Sequence, residues 1–231
     1  MIKPYKKDYD YSYTLGFYPT FELLKYRKDK LRCIYVSEDA LKSEGYRKLA
    51  NLVDSSKLVV SNKVFDKLKE KGNDHVIGVF DKYESKLEGD SNRVLLVNPS
   101  DQGNLGNIMR SMLAFSYRNL AIITPSADSW SPKVIRASMG ARFAINVELF
   151  TSFDEYLKKY PRPYYPFMLQ SSKPLKEIEK PKGNFTLVFG NEATGLSDDY
   201  LNENAVRIEQ SDEVDSLNLA TAVVVALYYL K

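Results

Sequence analysis

The chain has 231 residues, a formal net charge of +3, and 44% hydrophobic and 27% charged residues, a composition typical of a soluble globular protein. No run approaches the roughly 20 apolar residues that cross a bilayer, and the N-terminus lacks the apolar segment of a signal peptide. The single cysteine, Cys33, excludes an intramolecular disulfide. We therefore expect a cytoplasmic protein with no membrane partner.

The single histidine, His75, narrows the possible chemistry. A serine hydrolase would need it as general base, and a zinc site would lack further nitrogen and sulfur ligands. His75 precedes an apolar run, so we interpret it as a structural loop residue. We expect neither histidine catalysis nor a bound metal.

The N-terminal third alternates between helical and extended patterns. Hydrophobic spacing predicts helices over 19–30, 42–55 and 62–72, each followed by a strand, over 31–37, 57–61 and 75–83. The polar segment 84–92 is interpreted as a linker, so a small α/β domain is expected over residues 1–88. Its basic stretch over 25–32, together with many tyrosines, is consistent with RNA binding, although such charge runs are usually only solvated surface.

The alternation starts again after the linker and defines a second domain over 93–231. The pattern predicts strands and helices in the order strand 93–98, helix 105–116, strand 120–124, helix 131–140, strand 142–150, helix 152–160, strands 164–170, 185–189 and 205–209, and helix 216–230. Strands that alternate with helices favour a largely parallel sheet covered on both faces.

Two glycine-containing turns follow predicted strands, NPSDQGNLGNIMR at 98–110 and GNEATGL at 190–196. Neither matches G-x-G-x-x-G or a P-loop, which argues against a Rossmann-type nucleotide enzyme. Glu192 would repel a pyrophosphate, whereas a cationic ligand such as S-adenosylmethionine suits it. We interpret Gly190 as a point of close approach between backbone and ligand. The alternative is that Glu192 merely caps a turn.

The last predicted helix combines a polar start with an apolar body. Ser216 is the candidate N-cap, which places Asn218 inside the first turn, where a plain helix gains little from asparagine. Asn218 is therefore predicted to meet a ligand. Beyond Thr221 every residue up to Leu230 is apolar or aromatic, so we expect the helix to be covered on all sides, by the sheet and by a second copy of the chain.

Together these segments resemble the SpoU (TrmH-type) RNA 2′-O-ribose methyltransferases of the SPOUT superfamily. The resemblance covers about residues 93–230 and rests on four motifs in order, D-x-G-N-x-G-x-x-x-R at 101–110, P-K-x-x-R-A-S-M-G at 132–140, F-G-N-E-x-x-G-L at 189–196, and I-P-x-x-G-x-V-x-S-L-N at 208–218. The last motif departs from the family pattern, because Glu209, Gln210 and Asp212 stand where the family prefers proline, an apolar residue and glycine.

The resemblance implies a C-terminal α/β-knotted methyltransferase domain, with a trefoil knot and a parallel sheet, preceded by a small α/β substrate-binding domain. It implies methyl transfer from S-adenosylmethionine to a ribose 2′-hydroxyl of a structured tRNA or rRNA, with S-adenosylhomocysteine as product, by a homodimer. A catalytically inactive RNA-binding protein of the same fold is the alternative.

The resemblance also carries roles onto individual residues. The catalytic residues it implies are Asn104, Arg110, Glu192, Ser216 and Asn218. The cofactor-binding residues it implies are Gly190, Ile208, Gln210, Ser216, Leu217 and Asn218. Because a guanidinium stays charged in proteins, we expect Arg110 to hold an RNA phosphate and stabilise the developing alkoxide. Glu192 is expected to orient Arg110 or the substrate.

Overall fold

The computed structural model describes residues 2–68 and 75–230. Their contacts divide the chain into two compact units, of which unit 1 comprises 1–83 and 128–144, and unit 2 comprises 84–127 and 145–231. The segment 128–144 differs from the expectation, because the sequence pattern placed it in the second domain.

The described residues form nine strands and seven α-helices, joined by turns and short 3-10 segments. In chain order these are β1 (Tyr11–Tyr13), α1 (Phe17–Arg27), β2 (Leu31–Val36), α2 (Glu44–Ala50), β3 (Leu58–Val60), α3 (Asn62–Leu68), β4 (Val76–Asp81), β5 (Arg93–Val97), α4 (Gln102–Ala114), β6 (Asn119–Ile123), α5 (Pro132–Ala137), β7 (Asn146–Phe150), α6 (Phe153–Lys159), β8 (Tyr164–Pro166), β9 (Thr186–Phe189) and α7 (Leu219–Tyr229). No helix among them is long and apolar enough to cross a bilayer.

Unit 1 contains a mixed sheet in the order β1-β4-β2-β3, in which β4 is antiparallel to both neighbours and β3 is parallel to β2. Its core includes Leu23 of α1, Ile34 of β2 and Phe80 of β4. Ile135 and Phe143 are buried in the same core, and Phe143 meets Phe80 edge-on at 5.0 Å between ring centroids. These apolar contacts explain why the segment 128–144 belongs to unit 1.

Unit 2 contains a five-stranded sheet in the order β7-β6-β5-β9-β8. All four strand pairs are parallel, which confirms the predicted parallel sheet. Because β5 and β9 are neighbours that run the same way, the turns after their carboxyl ends meet at one edge of the sheet. Those turns are the two glycine-containing segments of the sequence.

Several predicted boundaries are wrong for local reasons. The strand expected over 142–150 begins at Asn146, because Gly140 takes a φ of 81° and residues 141–143 form a 3-10 turn. The strand expected over 205–209 is reduced to isolated bridges at Val206 and Arg207. No strand was expected at β1, which pairs with β4. Residues 69–72 of the predicted third helix lie outside the described residues.

The predicted linker has no regular structure, yet it is anchored to unit 2. Leu87 is buried, and its N–H donates to a carboxylate oxygen of Glu148 at 2.9 Å. The N–H of Glu88 donates to Oδ1 of Asn119 at 2.8 Å. Residues 84–90 therefore form part of unit 2 rather than a free connection.

Candidate active site

The turn after β9 closes tightly on itself. Asn191 and Gly195 exchange two backbone hydrogen bonds, of 3.2 and 2.9 Å, and Gly195 has a φ of +67°. A Cβ added to Gly190 would lie 2.1 Å from the carbonyl carbon of Gly195, a distance that no real side chain tolerates. Glycine is thus required at position 190 by the backbone of the turn itself, which is a different reason from the close ligand approach expected from the sequence.

Glu192 points from this turn to the turn after β5. Its carboxylate accepts hydrogen bonds from the N–H and hydroxyl of Ser100, both at 3.0 Å, and from the N–H of Asp101 at 3.1 Å. Burial raises the pKa of Glu192, but these donors outweigh burial and hold the pKa below its ordinary value. Glu192 is therefore a carboxylate that holds two turns together.

A line of side-chain hydrogen bonds continues from Glu192 to the last helix. The amide of Asn104 in α4 donates to Glu192 at 3.3 Å, and the amide of Asn218 donates to Oδ1 of Asn104 at 3.0 Å. Oδ1 of Asn218 accepts from the N–H groups of Ala220 and Thr221. Three residues predicted from separate motifs are thus brought together by tertiary structure.

Asn218, and not Ser216, is the N-cap of α7. The expectation that Ser216 caps the helix and that Asn218 lies inside its first turn is wrong, because the helix begins at Leu219. The cap uses the oxygen of the Asn218 amide and leaves its nitrogen to bond Asn104, so one side chain both starts the helix and joins the site.

Sequence reasoning did not single out Asn98, and it named Asp101 only as a motif residue, although both shape the turn after β5. Asn98 has a φ of 49°, and its carbonyl accepts from the side-chain amide of Asn191 at 2.7 Å. Asp101 caps α4 by accepting from the N–H of Asn104 at 2.7 Å. The available signal for Asn98 was its position directly after a strand, since asparagine tolerates the left-handed region better than most residues.

A cavity of about 350 Å³ lies beside the turn 190–196 that follows β9. Five of the six predicted cofactor-binding residues line it, namely Gly190, Ile208, Gln210, Ser216 and Leu217. The sixth, Asn218, is next to Leu217 in the chain and is held by Asn104. The other lining residues include Phe167, Met168, Phe189 and Asp215.

Residues 91–228 match the SpoU rRNA Methylase family, which is more than half of the chain. The chain belongs to this family. An uncharacterized tRNA/rRNA methyltransferase of Synechocystis is 31% identical over 58% of the chain and 51% of its own length, so the chain spans about half of that relative. The 23S rRNA (guanosine(2553)-2′-O)-methyltransferase RlmP of Bacillus subtilis is 25% identical over 85% of the chain and 86% of its own length.

Solved structures of SpoU proteins share the fold. The SpoU methyltransferase AviRb from Streptomyces viridochromogenes, in complex with the cofactor AdoMet, matches with a TM-score of 0.82 at 22% identity. The match covers 96% of this chain and 89% of that one.

Two residues of the SpoU pattern stand apart from the bonded line. Arg110 is exposed on α4, and among the described residues no hydrogen bond or ion pair joins it to Glu192. The expectation that Glu192 orients Arg110 therefore has no contact to support it, while orientation of Asn104 does. Ser216 is exposed at the cavity wall. Within the described part of the chain, no group of three or more His, Cys, Asp and Glu side chains is placed to hold a metal ion.

Proposed function

We propose that this protein transfers a methyl group from S-adenosylmethionine to a ribose 2′-hydroxyl of a structured tRNA or rRNA. The observation that carries the proposal is the bonded line from Glu192 through Asn104 to Asn218, because it joins three motif segments beside one cavity. The names of the relatives, which include an rRNA guanosine 2′-O-methyltransferase and tRNA cytidine 2′-O-methyltransferases, support the same reaction.

The residues of the cavity fit S-adenosylmethionine. A volume of about 350 Å³ is in the range of small-molecule sites. Apolar walls from Ile208 and Leu217 suit an adenine ring, and the carboxylates of Glu192 and Asp215 favour a positively charged ligand. The residues that would hold the cofactor are Gly190, Ile208, Gln210, Ser216, Leu217 and Asn218. When bound, the cofactor would supply an electrophilic methyl group and leave as S-adenosylhomocysteine, while the proton of the ribose hydroxyl would pass to solvent.

The chain's own residues then position the ribose and compensate charge. The pKa of Glu192 is lowered, and its carboxylate oxygens already accept hydrogen bonds from Ser100 and Asp101. We therefore assign Glu192 to positioning Asn104 rather than to proton abstraction. Arg110 is exposed and permanently charged, so it holds an RNA phosphate and stabilises the developing alkoxide. Exposed Ser216 at the cavity wall contacts the substrate.

RNA affinity is assigned to unit 1, through its exposed basic residues. Lys25 and Lys28 of the stretch 25–32 are exposed. Arg32 contributes less, because it is paired with Asp10 at 2.7 Å and also with Asp81. The binding test should use charge variants such as Lys28→Ala, since removal of residues 1–88 would strip the core in which Ile135 and Phe143 are buried. RNA binding should fall steeply with salt.

A homodimer is part of the proposal, through the outer face of α7. Tyr228 is 75% exposed, and Val224 and Val225 are half-buried, so apolar side chains at helical spacing are partly exposed on the outer face of α7. Ala226 is fully buried inside unit 2. Val224→Glu should therefore break the dimer on a sizing column with light scattering, whereas Ala226→Glu would destabilise the fold itself. A trefoil knot that brings residues 186–196, 206–212 and 213–220 together, and a cytoplasmic location, complete the proposal.

The deciding experiment measures cofactor binding and methyl transfer separately. Calorimetry should detect S-adenosylmethionine binding, and labelled methyl should pass to either total tRNA or total rRNA, where ribose-methylation mapping locates the nucleotide. Asn104→Ala should lose transfer, while Asn107→Ala, an exposed asparagine one turn along α4, should keep it. RNA binding without cofactor binding or transfer would instead identify the inactive RNA-binding alternative.

A further inference from the structure

The wall of the cavity formed by residues 208–217 is held mainly by one side chain. Gln210 is half-buried, while residues 211–216 are all exposed. The side-chain nitrogen of Gln210 donates to the carbonyls of Asp215, at 3.2 Å, and Val214, at 3.4 Å. Its oxygen accepts from the N–H of Leu217 at 3.1 Å. A single amide thus ties the start of the loop to its end.

We propose that Gln210 is a positioning residue whose side chain, by closing this loop, sets the shape of the cofactor site. The inference rests on the proposed function of the cavity. Asp215, Ser216 and Leu217 all line the cavity, so the position of the loop end decides where this wall stands. Closing the loop in this way requires a neutral group that both donates and accepts hydrogen bonds. An amide does so, and a carboxylate or thioether does not.

The other contacts of the loop are weaker or more local. Lys176 pairs with Glu209 at 2.7 Å, but the two side chains are 64% and 42% exposed, and such surface pairs contribute about 0–1 kcal/mol. The N–H of Glu213 donates to the hydroxyl of Ser211, two residues away, and leaves the ends of the loop unjoined. Gln210 is therefore the contact whose loss should move the wall.

Two variants separate the effect of the Gln210 hydrogen bonds from the effect of side-chain size. Gln210→Met keeps a side chain of similar length and removes all three bonds, whereas Gln210→Glu keeps the acceptor and replaces the donor by a carboxylate facing two carbonyls. Each should weaken S-adenosylmethionine binding by roughly tenfold or more in calorimetry, as loss of two or three hydrogen bonds does. In the ligand-free protein, exchange of the Leu217 amide hydrogen should become faster in Gln210→Met.

Val214→Glu is the matched control, because Val214 is 51% exposed and its side chain does not line the cavity. The variant adds the same charge to the same loop and keeps the hydrogen bonds of Gln210. Its cofactor affinity should stay within about threefold of wild type. Gln210→Met with wild-type affinity, or Gln210→Glu and Val214→Glu with equal losses, would overturn the inference. A wild-type protein that binds no cofactor would instead remove the proposed function on which it rests.

Discussion

Two walls of the cavity, the glycine-containing turn 190–196 and the acidic loop 209–217, are held in place in different ways. The turn 190–196 is closed by two backbone bonds between Asn191 and Gly195 and is tied to the turn after β5 by the side chains of Asn191 and Glu192. The loop 209–217 carries four carboxylates and is joined end to end by Gln210. One wall is therefore rigid before any ligand arrives, and the other depends on few contacts.

This difference indicates how binding and chemistry are shared between the walls. The rigid turn holds Glu192, Asn104 and Asn218 in one geometry, which is what a positioning network requires. The end of the exposed loop is positioned beside the cavity by the hydrogen bonds of Gln210. Substitutions in the turn should therefore act through stability and turnover, and substitutions in the loop through affinity.

The largest effect is expected at Gly190. Gly190→Ala places a Cβ 2.1 Å from the carbonyl carbon of Gly195, so the turn must open, and we expect a loss of about 3 kcal/mol or more in the free energy of unfolding, measured with urea. Gly183→Ala is the control, because it has a φ of +78° but no heavy atom within 4 Å of the added carbon. Its loss should be about 1–2 kcal/mol. Equal losses would mean that the turn is not closed as described.

A substitution of Arg110, which lies in neither wall, tests its proposed role in stabilising the developing alkoxide. Arg110→Ala should lower methyl transfer roughly a hundredfold or more, as loss of a transition-state contact does, and leave cofactor binding unchanged. Arg118→Ala, which changes an exposed arginine in the turn after α4, should retain turnover. Single-turnover kinetics with saturating cofactor gives the measurement, and a decrease below about threefold would exclude the assigned role.

Glu192→Gln tests the tie between the turns. In the wild type the donors of Ser100 and Asp101 bond to two carboxylate oxygens, whereas the glutamine amide offers only one acceptor oxygen. We therefore expect a loss of about 2 kcal/mol in the free energy of unfolding. Glu155→Gln is the matched control, since Glu155 also accepts from a neighbouring N–H and hydroxyl, those of Thr151, on an exposed helix start. Glu155→Gln should leave methyl transfer unchanged, and Glu192→Gln should reduce it.

The stabilisation that Glu192 provides by joining the two turns should depend on pH. The folded-state pKa of Glu192 lies below its ordinary value of about 4.5, so its contribution to stability is complete above that value and is lost as the pH falls through the folded-state pKa. The difference in unfolding free energy between wild type and Glu192→Gln should therefore shrink below about pH 4. A difference that is constant from pH 7 to pH 3 would contradict the assignment.

The smallest effect is expected at Glu209 and Asp212, two of the three positions where the loop departs from the family pattern. Glu209→Pro with Asp212→Gly restores proline and glycine at those positions. Asp212 is not among the residues with positive φ, and the Glu209 pair with Lys176 is exposed, so we expect calorimetric cofactor affinity within about threefold of wild type. A tenfold gain would show that these departures weaken cofactor binding.

Local pattern was sufficient for the strands and motifs of unit 2. The apolar runs at β5, β6 and β9 predicted buried parallel strands because such strands are covered on both faces. The glycine-containing turns predicted a site at their carboxyl ends, and the order of the motifs identified the family. Asn104, Glu192 and Asn218 were named from these motifs and lie in one bonded line.

Other features depended on contacts between distant residues. The burial of Phe143 against Phe80 assigns the segment 128–144 to unit 1, although its spacing continued the pattern of the second domain. The need for glycine at 190 comes from the backbone of Gly195, and the start of α7 is set by the partners of Asn218. Periodicity and residue type thus determined which elements form and which chemistry they carry, because those depend on neighbours in the chain. Only the tertiary structure decided which backbones approach closely and which polar groups are paired, because those contacts join residues up to 123 positions apart.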